Sequence, residues 1–362
     1  MLAIWYIVRF IIMEFNLSGR APKAATQRGF TGPVLIVSLN TSLDRILVMK
    51  DFRTGEVNRV EEEHWVGGGK ALNLLRMMQI MGHTATAITA VGGATGTIIK
   101  QLLERDALDT HCVFYELSQS SRICDVLVDL DTHNFTVINS QGPHLTGVDI
   151  NNITNKIYEH LLSKPDYLVL TGSLPLGTPD DFYGQLVQLG SQLHARVVVD
   201  ATGDGLLRAI QANPWLVKVN LSEITTIIES LARTMNLSLP TDSGAWYDPI
   251  VPLGNALADR GVNIVITNGD QGSVAWTEDG RWVINALPIN LQNTTGSGDA
   301  FLAGLLSNYV DTHDFYNALK WGTAAAANNA EHILPMVDNG EVVPKLSATV
   351  GVQPLHSKAK GK

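Results

Sequence analysis

Short apolar runs that alternate with helical patterns constrain this chain more than any other feature. PVLIVSL (33–39), TATAITAVGG (84–93), DYLVLTGSLP (166–175), ARVVVDATG (195–203), LVKVN (216–220) and GVNIVITNG (261–269) are each brief and almost wholly apolar until they reach small polar residues. Runs of this length read as strands buried on both faces. Between them, ALNLLRMMQIMG (71–82) and TGTIIKQLLERD (95–106) carry helical spacing, and Thr178-Pro179-Asp180 opens another helix. Phe301, Leu302, Leu305, Leu306 and Tyr309 place a further helix from about Gly298. Strands alternating with helices predict an α/β fold, a mostly parallel sheet covered on both sides. Two stretches break the alternation. Residues 45–66 and 112–140 hold strand-like runs without helices, and they predict a small separate sheet acting as a lid. Residues 231–252 are rich in polar and turn residues and read as an irregular connection.

Composition narrows the classes. A chain of 362 residues, 45% hydrophobic and 17% charged, can bury a large core. Its net charge of −9, with no basic stripe, argues against a nucleic-acid partner. Cys112 and Cys124 lie in no CxxC or metal-like cluster, which predicts buried strand thiols in a reducing, cytoplasmic setting. The opening MLAIWYIVRFIIM is too short for a membrane span, so no stable membrane insertion is expected. Residues 1–32 read as an extension outside the domain, 33–346 as the domain, and 347–362 as a tail.

The polar residues then gather in one place. Ligands of open α/β sheets bind beyond the carboxyl ends of the strands. Asn40–Asp44, Gly92-Gly93, Gly172-Ser173, Asn220–Glu223 and Thr267–Gly269 all follow strands, and Gly296–Asp299 joins them on that rim. In NTTGSGDAFLAGLL (293–306) the glycines let an anion approach the free N–H groups of a helix N-terminus. Asp299 is there either a cap or a base beside a bound phosphate. Asn220 and Glu223 are either a cap with a first-turn acid or a metal-organising pair. Gly68-Gly69-Lys70 is not a Walker A loop, since it lacks the second glycine before Lys and the Ser/Thr after it.

The ordered motifs decide among these readings. NTTGSGDAF, WVGGGKALNLLRMMQIMG, LTGSLPLGTPDDFYGQL and KVNLSEI resemble four signatures of the ribokinase-like (phosphofructokinase-B-type) carbohydrate kinases, over roughly Pro33 to Leu346. GSLP with SSRICDV resembles the branch acting on phosphorylated hexoses, which includes 1-phosphofructokinase, tagatose-6-phosphate kinase and the minor 6-phosphofructokinase. The resemblance implies a three-layer sandwich with a central mostly parallel sheet and a small β-sheet lid. It implies ATP and Mg²⁺, and transfer of a phosphoryl group to a phosphorylated hexose, giving a bisphosphate and ADP.

Roles follow residue by residue. Asp299 is the implied base, and the N–H groups of Gly296, Ser297, Gly298 and Asp299 the implied anion hole. Asp44, Gly68, Gly69, Lys70 and Asn73 would hold the sugar. Arg122 would grip its phosphate, with Asn139, Arg59 and Ser173 as further candidates for that pocket. Lys218, Asn220 and Glu223 would organise the ATP phosphates, Asn220 and Glu223 holding the metal through water. Thr267, Gly269 and Gly272 would lie near the nucleotide, and Asn328 would face the adenine. Departures from the pattern are Ala71, Val219, Asn268, Val137 and Thr41; Ala71 and Val137 fall on the sugar side. A kinase of an unphosphorylated sugar or nucleoside, or a non-catalytic sugar-phosphate binder, remains the alternative. A homodimer through the lid is expected.

Overall fold

The computed structural model describes residues 33–132, 134–240, 244–338 and 340–355. The extension expected over residues 1–32 lies outside the described residues. Seven parallel strands make up most of a ten-stranded sheet, out to β5 at one edge: β1 (Val34–Ser38), β4 (Ala85–Gly92), β5 (Cys112–Leu117), β8 (Tyr167–Thr171), β9 (Arg196–Asp200), β10 (Leu216–Asn220) and β11 (Asn263–Thr267). β12 (Ser273–Thr277), β13 (Gly280–Ile284) and β14 (Val352–Pro354) extend it antiparallel at one edge. The order is β14-β13-β12-β11-β10-β9-β8-β1-β4-β5. β1, β4 and β8 are buried along their whole length, as expected for strands covered on both faces. The order reverses at β1, which lies between β8 and β4, and such a reversal opens a crevice at the strand ends.

The helices cover both faces. α1 (Lys70–Ile80), α2 (Gly93–Arg105) and, later in the chain, α8 (Ser297–Thr312), α9 (Phe315–Ala330) and α10 (Val342–Ser347) pack together on one side. The other side holds α3 (Gly147–Leu161), α4 (Phe182–Gln192), α5 (Gly203–Gln211), α6 (Leu221–Met235) and α7 (Val251–Ala258). Leu72, Leu75 and Met78 of α1 meet Phe301, Leu302, Leu305 and Leu306 of α8 in the main core. That packing anchors the two helix N-termini that face the crevice.

The second sheet is β3-β2-β6-β7, from β2 (Ser42–Met49), β3 (Glu62–Gly68), β6 (Arg122–Asp129) and β7 (Asn134–Asn139). It has its own small core of Ile46, Val48, Val66, Cys124, Val126 and Val128, against which Ile333 and Leu334 pack.

Three expectations need correction. The segment 112–140 does not all go to the lid: β5 pairs in parallel with β4 in the main sheet, so only the part from Arg122 joins the lid. The stretch after residue 346 is not a simple tail, because β14 pairs with β13. Residues 231–252 are not irregular throughout, since α6 runs to Met235 and α7 starts at Val251. The two thiols do sit in strands, Cys124 buried and Cys112 half-buried, and burial pushes both up to about 12.

Candidate active site

α8 begins at Ser297 behind Gly296, whose φ of 81° is left-handed and whose added Cβ would meet Pro335 Cβ at 2.8 Å. Glycine is therefore needed at 296 for both backbone and space. Asn329, wholly buried on α9, braces the turn by donating to the Thr295 carbonyl and to Ser297 Oγ, each at 3.0 Å. The Ser297 N–H donates to the Thr294 carbonyl at 3.1 Å. This corrects the expected anion hole at one position: Ser297 spends its N–H closing the turn, and the remaining N–H groups are those of Gly296, Gly298 and Asp299. In front of Gly298 lies Lys218, 2.8 Å from where a Cβ would stand. A buried ammonium and a helix N-terminus here converge on one spot, an arrangement that suits a phosphate.

Asp299 is 7% exposed and accepts a 2.9 Å hydrogen bond from Asn73 Nδ2 of α1. Burial raises its pKa to about 6, against the pull of Lys70 and Lys218; Asp200 adds to the rise. A carboxylate so poised is a better proton acceptor than an exposed one.

Asp200 is the residue that sequence reasoning missed. It ends β9, is fully buried, and accepts from Lys70 Nζ at 2.6 Å and from Lys218 Nζ at 3.1 Å. Burial alone would raise its pKa, but the two lysines outweigh that and hold it below the ordinary carboxylate range. Lys70 also lies 3.4 Å from Glu223 Oε1. Burial disfavours the Lys70 charge, and Asp200, Glu223 and Asp299 more than compensate, so its pKa stands above the usual lysine value. Lys70, expected on the sugar, thus bridges β9 and α6. The only sequence signal for Asp200 was a lone acid at the rim end of a strand.

Asn220 and Glu223 form a capping box at the start of α6: Asn220 Oδ1 accepts from the Glu223 N–H at 2.7 Å, and Glu223 Oε2 accepts from the Asn220 N–H at 2.9 Å. The capping role claims Asn220 Oδ1, and Glu223 keeps Oε1 turned to Lys70. Thr267 is the β11 register partner of Asn220, so the nucleotide candidates adjoin. Gly269 has open space around its Cβ position, whereas a side chain at Gly272 would overlap the Ile284 carbonyl. Asn328 departs from expectation. It is 2% exposed, and its amide donates to Asp338 Oδ2 at 2.8 Å and accepts from the Asp338 N–H at 2.7 Å. Both ends of that amide hold the 338 loop to α9, a structural role that sequence reasoning did not assign.

The lid base forms the opposite wall. Asp44 is 5% exposed; Ser42 Oγ donates to it at 2.5 Å, and the Gly69 N–H donates to it as well. Burial raises its pKa, partly offset by Ser42, Arg122 and Arg76. A Cβ on Gly68 would overlap the Asp44 carboxylate. Arg122 donates from Nε to the Asn40 carbonyl at 3.1 Å and from Nη1 to Asn139 Oδ1 at 2.9 Å. Asn40, placed on the rim from sequence but given no role there, donates from Nδ2 to Ser173 Oγ at 2.9 Å, and its buried Oδ1 has no partner among the described residues. Arg59 is exposed in the β2–β3 loop.

Glu223 offers a hard oxygen donor of the kind Mg²⁺ takes, whereas both Asp200 oxygens already face lysine ammoniums. No group of three or more His, Cys, Asp or Glu suited to a metal occurs among the described residues.

Known proteins give this geometry a context. A Bacillus subtilis 1-phosphofructokinase is 28% identical over 298 residues, covering 82% of this chain and 92% of that protein. A crystal structure from Thermotoga maritima described as a possible 1-phosphofructokinase superposes with a TM-score of 0.77 at 25% identity, covering 89% of this chain and 99% of that one. Ribokinase from Thermotoga maritima shares the fold, with a TM-score of 0.63 at 17% identity over 87% of this chain and 99% of its own. Residues 35–337 match the pfkB family carbohydrate kinase description, and the chain belongs to that family of sugar kinases.

Proposed function

We propose that this kinase phosphorylates a phosphorylated hexose of the 1-phosphofructokinase or tagatose-6-phosphate kinase type, using ATP and giving a hexose bisphosphate and ADP. The observation that carries the reading is the buried Asp299 at the open end of α8, opposite Lys218 and held by Asn73. The sugar hydroxyl gives its proton to Asp299 as its oxygen bonds to the γ-phosphorus, and the bond to the ADP oxygen breaks. Lys218 and the Gly298 and Asp299 N–H groups offset charge on the moving phosphoryl group. Glu223 would hold Mg²⁺, which supplies positive charge to the ATP phosphates. Asp44 and the bare Gly68-Gly69 backbone orient the sugar. Arg122 has Nη2 unused among the described residues, a planar donor suited to the phosphate already on the sugar. The relatives described as 1-phosphofructokinases support this choice. The lid edge strand β7 exposes Val137 (44%) and Ile138 (54%), which fits pairing with a second copy.

The test is ADP release from Mg-ATP with fructose 1-phosphate, tagatose 6-phosphate, fructose 6-phosphate, fructose, ribose and adenosine. Turnover of one phosphorylated hexose is expected, with Asp299→Asn slower by about 10²–10⁴-fold. Arg122→Ala should raise KM for that sugar phosphate steeply. Turnover of unphosphorylated compounds alone would refute the Arg122 role, and binding without turnover would refute catalysis.

A further inference from the structure

Arg76 enters the site above only as a charge that eases the burial of Asp44, yet it contacts both the lid strand and α1. It lies on α1, three residues beyond Asn73 and so on the same helix face. Its Nη2 donates to the Gly67 carbonyl, at the end of lid strand β3, at 2.9 Å. Its Nη1 donates to Asn73 Oδ1 at 3.3 Å. Asp106, just past α2, stands 3.7 Å from Nη2 and balances its charge. Asn73 passes the contact on, donating from Nδ2 to Asp299 Oδ2 at 2.9 Å.

A side-chain amide has an acceptor on one arm and donors on the other. A guanidinium can face only the acceptor. With Oδ1 turned to Arg76, Nδ2 must point at Asp299. The flipped amide would set an oxygen against the carboxylate and an NH₂ against the guanidinium, and both contacts would be repulsive. We propose that Arg76 is a positioning residue: it locks the Asn73 amide so that its N–H donor meets Asp299, and its bond to Gly67 ties that arrangement to the lid strand. This rests on Asp299 being the base. Polar contacts rather than tight packing define the role, because Arg76 also borders a cavity of about 400 Å³ lined in part by Val66, Ile80, Leu108 and Met336. A smaller side chain would enlarge that space and clash with nothing.

The test is a double-mutant cycle measured with Mg-ATP and whichever panel sugar is turned over. It compares Arg76→Met, Asn73→Ala and the pair, with Arg76→Lys and Asp299→Asn alongside. Loss of one charge-assisted contact should lower kcat of Arg76→Met about tenfold. KM for ATP should stay within about twofold, and the pair should be no slower than Asn73→Ala alone, since neighbours acting through one group are not additive. Arg76→Lys, which keeps the charge, should recover part of kcat. Losses that multiply, a rise in KM for ATP in step with the fall in kcat, or a wild-type rate for Arg76→Met would each overturn the proposal. If Arg76→Met melts below the assay temperature, Arg76→Gln runs the same cycle. An Asp299→Asn variant with undiminished kcat would instead refute the base assignment, a different result from a failed cycle.

Discussion

The two walls of the crevice each carry a buried aspartate and a glycine turn, and they solve opposite problems. On the lid side Asp44 takes hydrogen bonds from Ser42 and the Gly69 N–H, two donors that do not move away as the reaction proceeds. On the α8 side Asp299 takes one amide donor and faces Lys70 and Lys218, both of which are also committed to Asp200. A carboxylate fixed by two donors, with acceptor sites to spare, is an orienting acceptor. A carboxylate with one donor and a pKa near 6 is free to take a proton. The turns differ to match. Gly68 is glycine because a carboxylate fills the place of its side chain, whereas Gly296 is glycine because of a left-handed φ and the crowding of Pro335.

The largest effect that separates the walls is expected from Gly68→Ala. The new methyl must displace Asp44, a buried and bonded group, so kcat/KM for the sugar should fall by about 100-fold or more, the cost of misplacing a bound reactant by an ångström. KM for ATP should stay near the wild-type value. If ATP affinity falls as much as sugar affinity, the two walls are not separable. Gly298→Ala should be milder. Its Cβ meets only the tip of Lys218, the far end of a flexible side chain. A loss of about tenfold in kcat, with KM for the sugar unchanged, is expected from a weakened anion site.

Much of this contrast was legible in the sequence, and the reason is local. Strand ends and helix starts announce themselves within a few residues, so the rim, Asp299 and the capping box around Asn220 could be read directly. What could not be read depends on which strands meet. Asp200 looks like any strand-ending acid until β9 is known to bring it to Lys70, 130 residues before it, and to Lys218. β5 has the composition of a lid strand, and only its parallel register with β4 assigns it to the main sheet. Asn328 sits in an alanine-rich helix with nothing local to indicate Asp338. Arg76 is one more polar residue on an apolar helix until the end of β3 is placed over it.

The most discriminating effect concerns stability. The pKa of Asp299 is raised in the fold, from 3.8 to about 6, so folding favours its protonated form. The stability it contributes is complete below pH 4 and is lost as the pH rises through about 6, where the folded state must carry a buried charge. A rise of that size corresponds to about 3 kcal/mol. Asp299→Asn removes that cost while destroying the base. The variant should therefore melt higher than the wild type at pH 8, and the two should converge below pH 4. Over the same range the acid limb of kcat/KM in the wild type should fall near pH 6 rather than near 4, because the ionised form accepts the proton. Asp44→Asn offers the comparison from the other wall: burial raises the Asp44 pKa too, so its protonation should raise KM for the sugar at low pH and leave kcat at saturating sugar unmoved, because an orienting acceptor takes no proton in the reaction. Thermal melts and rate profiles of the two variants, taken at the same pH values, separate an aspartate kept for chemistry from one kept for placement.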